Sequence, residues 1–288
     1  PDNDNPYLLY DDDDSSDMDT VADDLFINTL SASYTTCLLV SHGKKGVIEV
    51  KPEKRGKYIV CFNALDESTV TSYGSVGSTF AIFKKITRSD PCLEDCLQPG
   101  KDLVGAGYIL YSSATTMVIS IGKGVHGFML NSSIGEFVLT DRNVKIPSKG
   151  ETYSVNEGFM YQWPEGVAKY VEDKKNYKKA GKPYNARHIG SVTGDLHRTL
   201  KEGGIVIHPT TEKHPKGQLC LLYECIPLAY IICQAGGLAS NGKMAILDII
   251  PENIHQKSEM FLGSKEDVKE ILGCIKKCEQ TAETSKTK

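Results

Sequence analysis

The run Tyr58-Ile59-Val60-Cys61-Phe62 is apolar and rich in β-branched and aromatic residues, and it ends abruptly at the polar heptapeptide Asn63-Ala64-Leu65-Asp66-Glu67-Ser68-Thr69. A strand that runs into carboxylates and hydroxyls in this way suits a site for cations and phosphate. Oxygen ligands suit Mg²⁺, and the N–H groups of a following helix start suit a phosphoryl group. Comparable short runs at 36–40, 46–50, 75–83, 117–121, 125–130 and 136–140 alternate with Gly-rich turns and read as strands.

Helices become clearer after about residue 145. Over 264–278, Ser264 and Asp267 resemble a capping box, while Val268, Ile271, Leu272 and Ile275 share one face. Another helix, over 194–202, is stopped by Gly203-Gly204. Strands first and alternation afterwards predict an α/β protein of two stacked halves, 1–144 and 145–288. The opening stretch, with Asp11 to Asp14 and then Asp17, Asp19, Asp23 and Asp24, reads as solvated or disordered chain, and the globular pattern starts at Leu25. The lysine-rich stretch 174–182 reads as a solvated loop or helix end.

Basic and acidic side chains number 33 and 37, a formal net charge of -4. That balance gives no electrostatic case for nucleic acid or an acidic membrane surface, and no basic patch carries interleaved aromatics. No apolar run approaches the roughly 20 residues of a membrane helix, and no signal peptide is visible. The chain opens on Pro1 instead of Met, so a removed or missing upstream segment stays open. Its nine cysteines form no Cys-x-x-Cys pair, which favours free thiols in a reducing cytoplasm over a zinc site or disulfide framework.

From about Asp19 to Gly273 the chain resembles the fructose-1,6-bisphosphatases. Segments that carry the likeness in order include Pro52-Glu53-Lys54-Arg55-Gly56-Lys57-Tyr58, Ser154-Val155-Asn156-Glu157-Gly158, Asp195-Leu196-His197-Arg198-Thr199-Leu200 and Leu222-Tyr223-Glu224-Cys225. The resemblance implies a layered α/β/α/β/α sandwich of two halves, usually a homotetramer. It also implies hydrolysis of fructose 1,6-bisphosphate to fructose 6-phosphate and phosphate by a Mg²⁺-activated water. Fold alone does not fix that activity.

Several residues that would carry the reaction are changed. The heptapeptide matches the family's Asp-Pro-Leu-Asp-Gly-Ser-Ser, so Asn63 stands for an aspartate and Glu67 for a glycine. His42 and Gly43 stand for two glutamates. Asp66 and Glu224 remain as catalytic and metal-ligating candidates, with Leu65 beside them and Asp19 matching a loop aspartate that helps activate water. Each lost unit charge at 4 Å from a cation removes roughly 4 kcal/mol of attraction at an effective dielectric of about 20. Mg²⁺ affinity is therefore expected to be weak or lost. His42, Asp66 and Glu224 could instead form a Zn²⁺ or Mn²⁺ site, or His42 is a solvated turn residue.

On the substrate side, Ser68, Asn156 and Arg187 match sugar-phosphate positions, and the family's arginine there reaches across a subunit boundary. Tyrosines have become Phe159, His188 and His208, a lysine Gln218, and an arginine Cys220. His188 and His208 read either as surface residues or as phosphate contacts when protonated. Lys57 and Tyr58 match contacts for the inhibitor AMP, and Lys84 replaces an arginine. The N-terminal helices that carry most of that site have no counterpart in this sequence. Two functions compete: an impaired or inactive family member that binds a sugar phosphate or a protein partner, and an active metal-dependent sugar phosphatase.

Overall fold

The computed structural model describes residues 17–66, 76–176, 178 and 181–286. Its first sheet has eight strands in the order β2-β1-β3-β4-β5-β6-β7-β8. These are β1 (Thr36–Ser41), β2 (Ile48–Glu49), β3 (Tyr58–Asn63), β4 (Val76–Lys84), β5 (Gly105–Tyr111), β6 (Thr115–Ser120), β7 (His126–Asn131) and β8 (Glu136–Asp141). Among them β1 and β3 run parallel, with Val40 opposite Cys61 and Ser41 opposite Phe62. Every residue of β1 is buried, as expected of a strand covered on both faces. The register sends the turns after Ser41 and Asn63 out of the sheet at the same end.

The second sheet follows the order β10-β9-β11-β15-β13, with β9 (Thr152–Ser154), β10 (Asn185–Ala186), β11 (Ile205–His208), β13 (Leu238–Ser240) and β15 (Met260–Gly263). A separate antiparallel pair joins β12 (Leu219–Cys220) to β14 (Lys257–Ser258). Five of the helices are α1 (Asp17–Ala32), α2 (Leu93–Cys96), α3 (Glu165–Lys175), α4 (Val192–Glu202) and α5 (Ile226–Gln234). The last, α6, runs Lys265–Lys286. Helices α4 and α5 pack between the sheets, α1 covers β1, and α3 pairs with α6 on the far face. The result is the expected α/β/α/β/α sandwich. Its main core runs through both halves, from Leu38, Ile59 and Phe83 to Leu196, Leu222 and Leu262.

Three expectations need correction, and one strand went unanticipated. The acidic segment is helical from Asp17, and Asp23 is buried, because one face of α1 lies on β1. The run Asp11 to Asp14 lies outside the described residues. The capping box at α6 is not formed: Ser264 donates its hydroxyl to the Pro147 carbonyl, and Asp267 accepts from the Gly150 N–H and the Tyr184 hydroxyl. Tertiary bonds have taken over both side chains. Lys174 is buried in α3 instead of solvated. Its ammonium lies 2.7 Å from Glu270 and 4.2 Å from the Tyr184 ring centre, so charge and aromatic faces offset its desolvation. Finally, Gly105–Tyr111 is a central strand that Gly105 and Gly107 hide from a pattern search, and Gly107 is needed there, since a Cβ would lie 2.6 Å from the Phe80 ring.

Candidate functional site

The ends of β1 and β3 meet α4 and a π-helical turn, Leu221–Cys225, that leads into α5. Such turns are rare and recur at functional sites. Asn63, the last residue of β3, donates its Nδ2 to Glu224 Oε1 at 3.3 Å. The Cys220 N–H donates to the other carboxylate oxygen at 2.6 Å. Thr79, opposite Asn63 on β4, donates its hydroxyl to the Tyr223 carbonyl at 2.5 Å. The two halves of the chain are therefore joined at this point.

Asp66 is buried and receives donors on both oxygens. Oδ1 accepts from the Gly77 N–H. Oδ2 accepts from the Thr193 N–H at 3.0 Å, the Thr193 hydroxyl at 2.7 Å and the Ser191 hydroxyl at 3.1 Å. Ser191 also caps α4 by accepting from the Gly194 N–H, so Asp66 closes on the positive end of that helix. Gly77 makes the approach possible: a Cβ there would lie 2.2 Å from Thr193 Oγ1. Burial pushes the Asp66 carboxyl above the usual carboxylate range, and these hydrogen bonds only partly oppose the shift.

His42 is exposed and sets its ring edge-on to Tyr223, with centroids 5.8 Å apart. Leu65 is half-buried. Asp19 lies on helix α1, not on a loop, one turn before Asp23. Asp23 accepts a hydrogen bond from the Ser41 hydroxyl, and its Oδ2 is 3.8 Å from the Lys44 ammonium. That oxygen also lies 3.0 Å from where a Cβ on Gly43 would stand. Ser68 and Glu67 fall outside the described residues.

Both retained acids already accept protein donors on each oxygen, and the Asn63 amide is one of those donors. Among the described residues, no group of three or more His, Cys, Asp or Glu side chains is placed to hold a metal ion.

The substrate side is built differently. Asp195 in α4 is buried, and its carboxylate accepts from Arg198 at 2.7 Å and from the Ile189 N–H at 3.1 Å. His188 Nδ1 stands 3.4 Å from Asp195 and 3.1 Å from the Ser154 hydroxyl. Burial alone would raise the Asp195 carboxyl, but His188, the Ile189 amide and Arg198 outweigh it and hold the group below its usual range. His208 is half-buried beside this cluster. Burial first, and the neighbouring His188 second, push its imidazole down to about 4, so it is neutral near pH 7 and is not an ordinary surface histidine.

Arg187 is exposed, with its guanidinium on the Ala186 carbonyl at 2.9 Å. Asn156 is also exposed and caps the turn Glu157–Gln162 by accepting from the Gly158 N–H. Gln218 is exposed next to β12. At the opposite end of the first sheet, Lys57 sits 5.5 Å from the Tyr58 ring centre, and Tyr58 lies opposite Lys84. Sequence reasoning missed Ser191, Thr193 and Gly77 as partners of Asp66. Ser191 ahead of the helical pattern was a readable N-cap signal, whereas Gly77 and Thr193 become partners only through the fold.

Comparison with known proteins covers both halves of the chain. Residues 10–142 match the family model described as Fructose-1-6-bisphosphatase, N-terminal domain, and residues 146–276 match Fructose-1-6-bisphosphatase, C-terminal domain. Fructose-1,6-bisphosphatase 1 of Bos taurus is 50% identical over 261 residues, covering 90% of this chain and 77% of the relative. Fructose-1,6-bisphosphatase isozyme 2 of Oryctolagus cuniculus is 48% identical with the same coverage. The cytosolic fructose-1,6-bisphosphatase of Oryza sativa subsp. indica is 46% identical over 257 residues, covering 89% and 76%. Two family models that together span nearly the whole chain, and identities near one half, make this protein a member of the fructose-1,6-bisphosphatase family.

Proposed function

We propose that this chain binds a sugar phosphate on the family scaffold and that its hydrolysis of fructose 1,6-bisphosphate is impaired or absent. The observation that carries the reading is the Asn63 amide on Glu224. An amide donor satisfies the carboxylate at the place where an acid would have drawn it toward a cation. Asp66 supports the same reading, since freeing it for a metal means breaking its bonds to α4 and Gly77. On the other side, Arg187, Asn156 and the His188–Ser154–Asp195–Arg198 network leave polar and cationic groups available to a phosphoryl group. The neutral imidazole of His208 offers one N–H where the family has a phenol. The likeness to a cytosolic relative supports a cytoplasmic location, and the family supports a homotetramer. No described helix is long and apolar enough to cross a membrane.

One observation favours the second reading, an active metal-dependent phosphatase. Helix α1 presents Asp23 beside the space that the side chain at Gly43 vacates, so an acid from a neighbouring element stands near the lost one. Phosphate release from fructose 1,6-bisphosphate with Mg²⁺, Mn²⁺ or Zn²⁺ decides between them. The proposal expects turnover far below the roughly 1 to 1,000 per second of ordinary enzymes. Turnover inside that range overturns it. Recovery of activity in a chain carrying His42→Glu, Gly43→Glu, Asn63→Asp, Glu67→Gly and Gln218→Lys would locate the defect in these residues.

A further inference from the structure

A cavity of about 210 Å³ opens beside the β12–β14 pair. Its lining includes Lys216, Lys243 and Lys257, the hydroxyl residues Thr210 and Ser258, and Glu259 as the one carboxylate. Three lysines against a single acid give the lining a positive excess on a chain whose net charge is -4. Such a local excess, set in a concave wall, concentrates anions. The acid is half-buried next to the turn at Gly242. Burial pushes its carboxyl up, opposed by the Thr210 N–H and Lys243, which leaves it a ready partner for a hydroxyl.

We infer that this cavity is a second anion site, built for the phosphoryl group of a small phosphomonoester whose hydroxyls meet Glu259, Thr210 and Ser258. The volume equals that of about seven waters, enough for a phosphoryl group and a few carbons. One cavity residue also points toward the candidate centre. Lys257 lies opposite Cys220 across the strand pair and its ammonium faces the Cys220 thiol, while the Cys220 N–H holds Glu224. The site itself does not depend on the sugar-phosphate reading above, because Lys216 and Lys243 take no part in that centre.

The test is calorimetric titration of inorganic phosphate at fixed ionic strength into the wild-type chain, Lys216→Gln/Lys243→Gln and Arg187→Gln. Each lysine lost should weaken binding roughly fivefold, and the pair about 25-fold. Arg187→Gln should leave that binding event unchanged. The charge-keeping pair Lys216→Arg/Lys243→Arg should retain it, which separates loss of the site from loss of the fold. Phosphate uptake that ignores the glutamine pair, or no uptake by the folded wild-type chain, overturns the inference. Uptake lost only in Arg187→Gln also overturns it while supporting the earlier reading, and uptake lost only in the glutamine pair does the reverse.

Discussion

The two sides of the candidate pocket treat their charges in opposite ways. Around the ends of β1 and β3 the acids are locked inward: Asp66 holds the start of α4, and Glu224 is tied to Asn63 and Cys220. Around β9 and β11 the buried acid, Asp195, instead supports basic groups that lie nearer solvent, His188 and Arg198. A carboxylate tied by protein donors must give some of them up to take a metal ion, whereas one that orients a basic side chain leaves that side chain facing outward. The comparison separates acids that hold the fold together from an acid that positions basic side chains.

Removing Asp66 is the strongest way to break the comparison. Asp66→Ala leaves the Gly77 and Thr193 N–H groups without an acceptor, and the Ser191 and Thr193 hydroxyls with only each other. It should cost about 3–5 kcal/mol in urea unfolding, the scale for several buried donors left unpaired. Asp195→Asn should cost less, about 2 kcal/mol, because Arg198 keeps its bond to the Arg187 carbonyl.

The same pair gives opposite pH signatures. Asp195 is depressed in the folded state, so its stabilisation is present above the ordinary carboxylate value of about 3.9 and is lost as pH falls through its folded value. Asp66 is raised, so the folded state binds its proton more readily, and stability declines as pH rises from the ordinary value through the raised one. Urea midpoints measured against pH should lose the acid-side fall in Asp195→Asn and the higher-pH decline in Asp66→Asn. Identical profiles in both variants would remove the distinction drawn here.

Asn63→Asp sharpens the metal side. A second carboxylate beside Glu224 should cost about 1–2 kcal/mol without cation. Added Mg²⁺ should raise the melting temperature of this variant and leave the wild-type chain unmoved, since only a ligand that prefers the folded state shifts the midpoint. An equal shift in both would mean that the wild-type site already takes the ion. Arg187→Gln should change stability least, within about 0.5 kcal/mol, because the side chain is exposed. It should nonetheless weaken fructose 6-phosphate binding in a calorimetric titration.

Much of the fold was legible because strand and helix periods survive in the residues themselves. The runs at 58–62 and 75–83 are β3 and β4 within a residue or so at each end, and Gly203-Gly204 does end α4, both glycines having positive φ. What stayed hidden was tertiary in origin. Asp23 looked like part of a solvated acidic run until Ser41 gave it a buried partner. Lys174 looked like surface until Tyr170, Tyr184 and Glu270 closed around it. At the candidate site, the residue types at 42, 43, 63 and 220 could be read directly. The hydrogen bonds that occupy Asp66 and Glu224 could not, because their donors lie more than a hundred residues away or on the far side of a turn.

The bond from Asp66 to Thr193 spans 127 positions of the chain. Contacts of such long range form slowly, because loop-closure entropy must be overcome first. During synthesis the first half emerges with a carboxylate whose partners at 191 and 193 do not yet exist, and with a sheet face that α4 and α5 will later cover. The amino-terminal half should therefore not reach its native packing by itself. A ribosome-bound fragment ending before residue 191 should remain protease-sensitive around β3 and β4, and acquire protection only once α4 has been made.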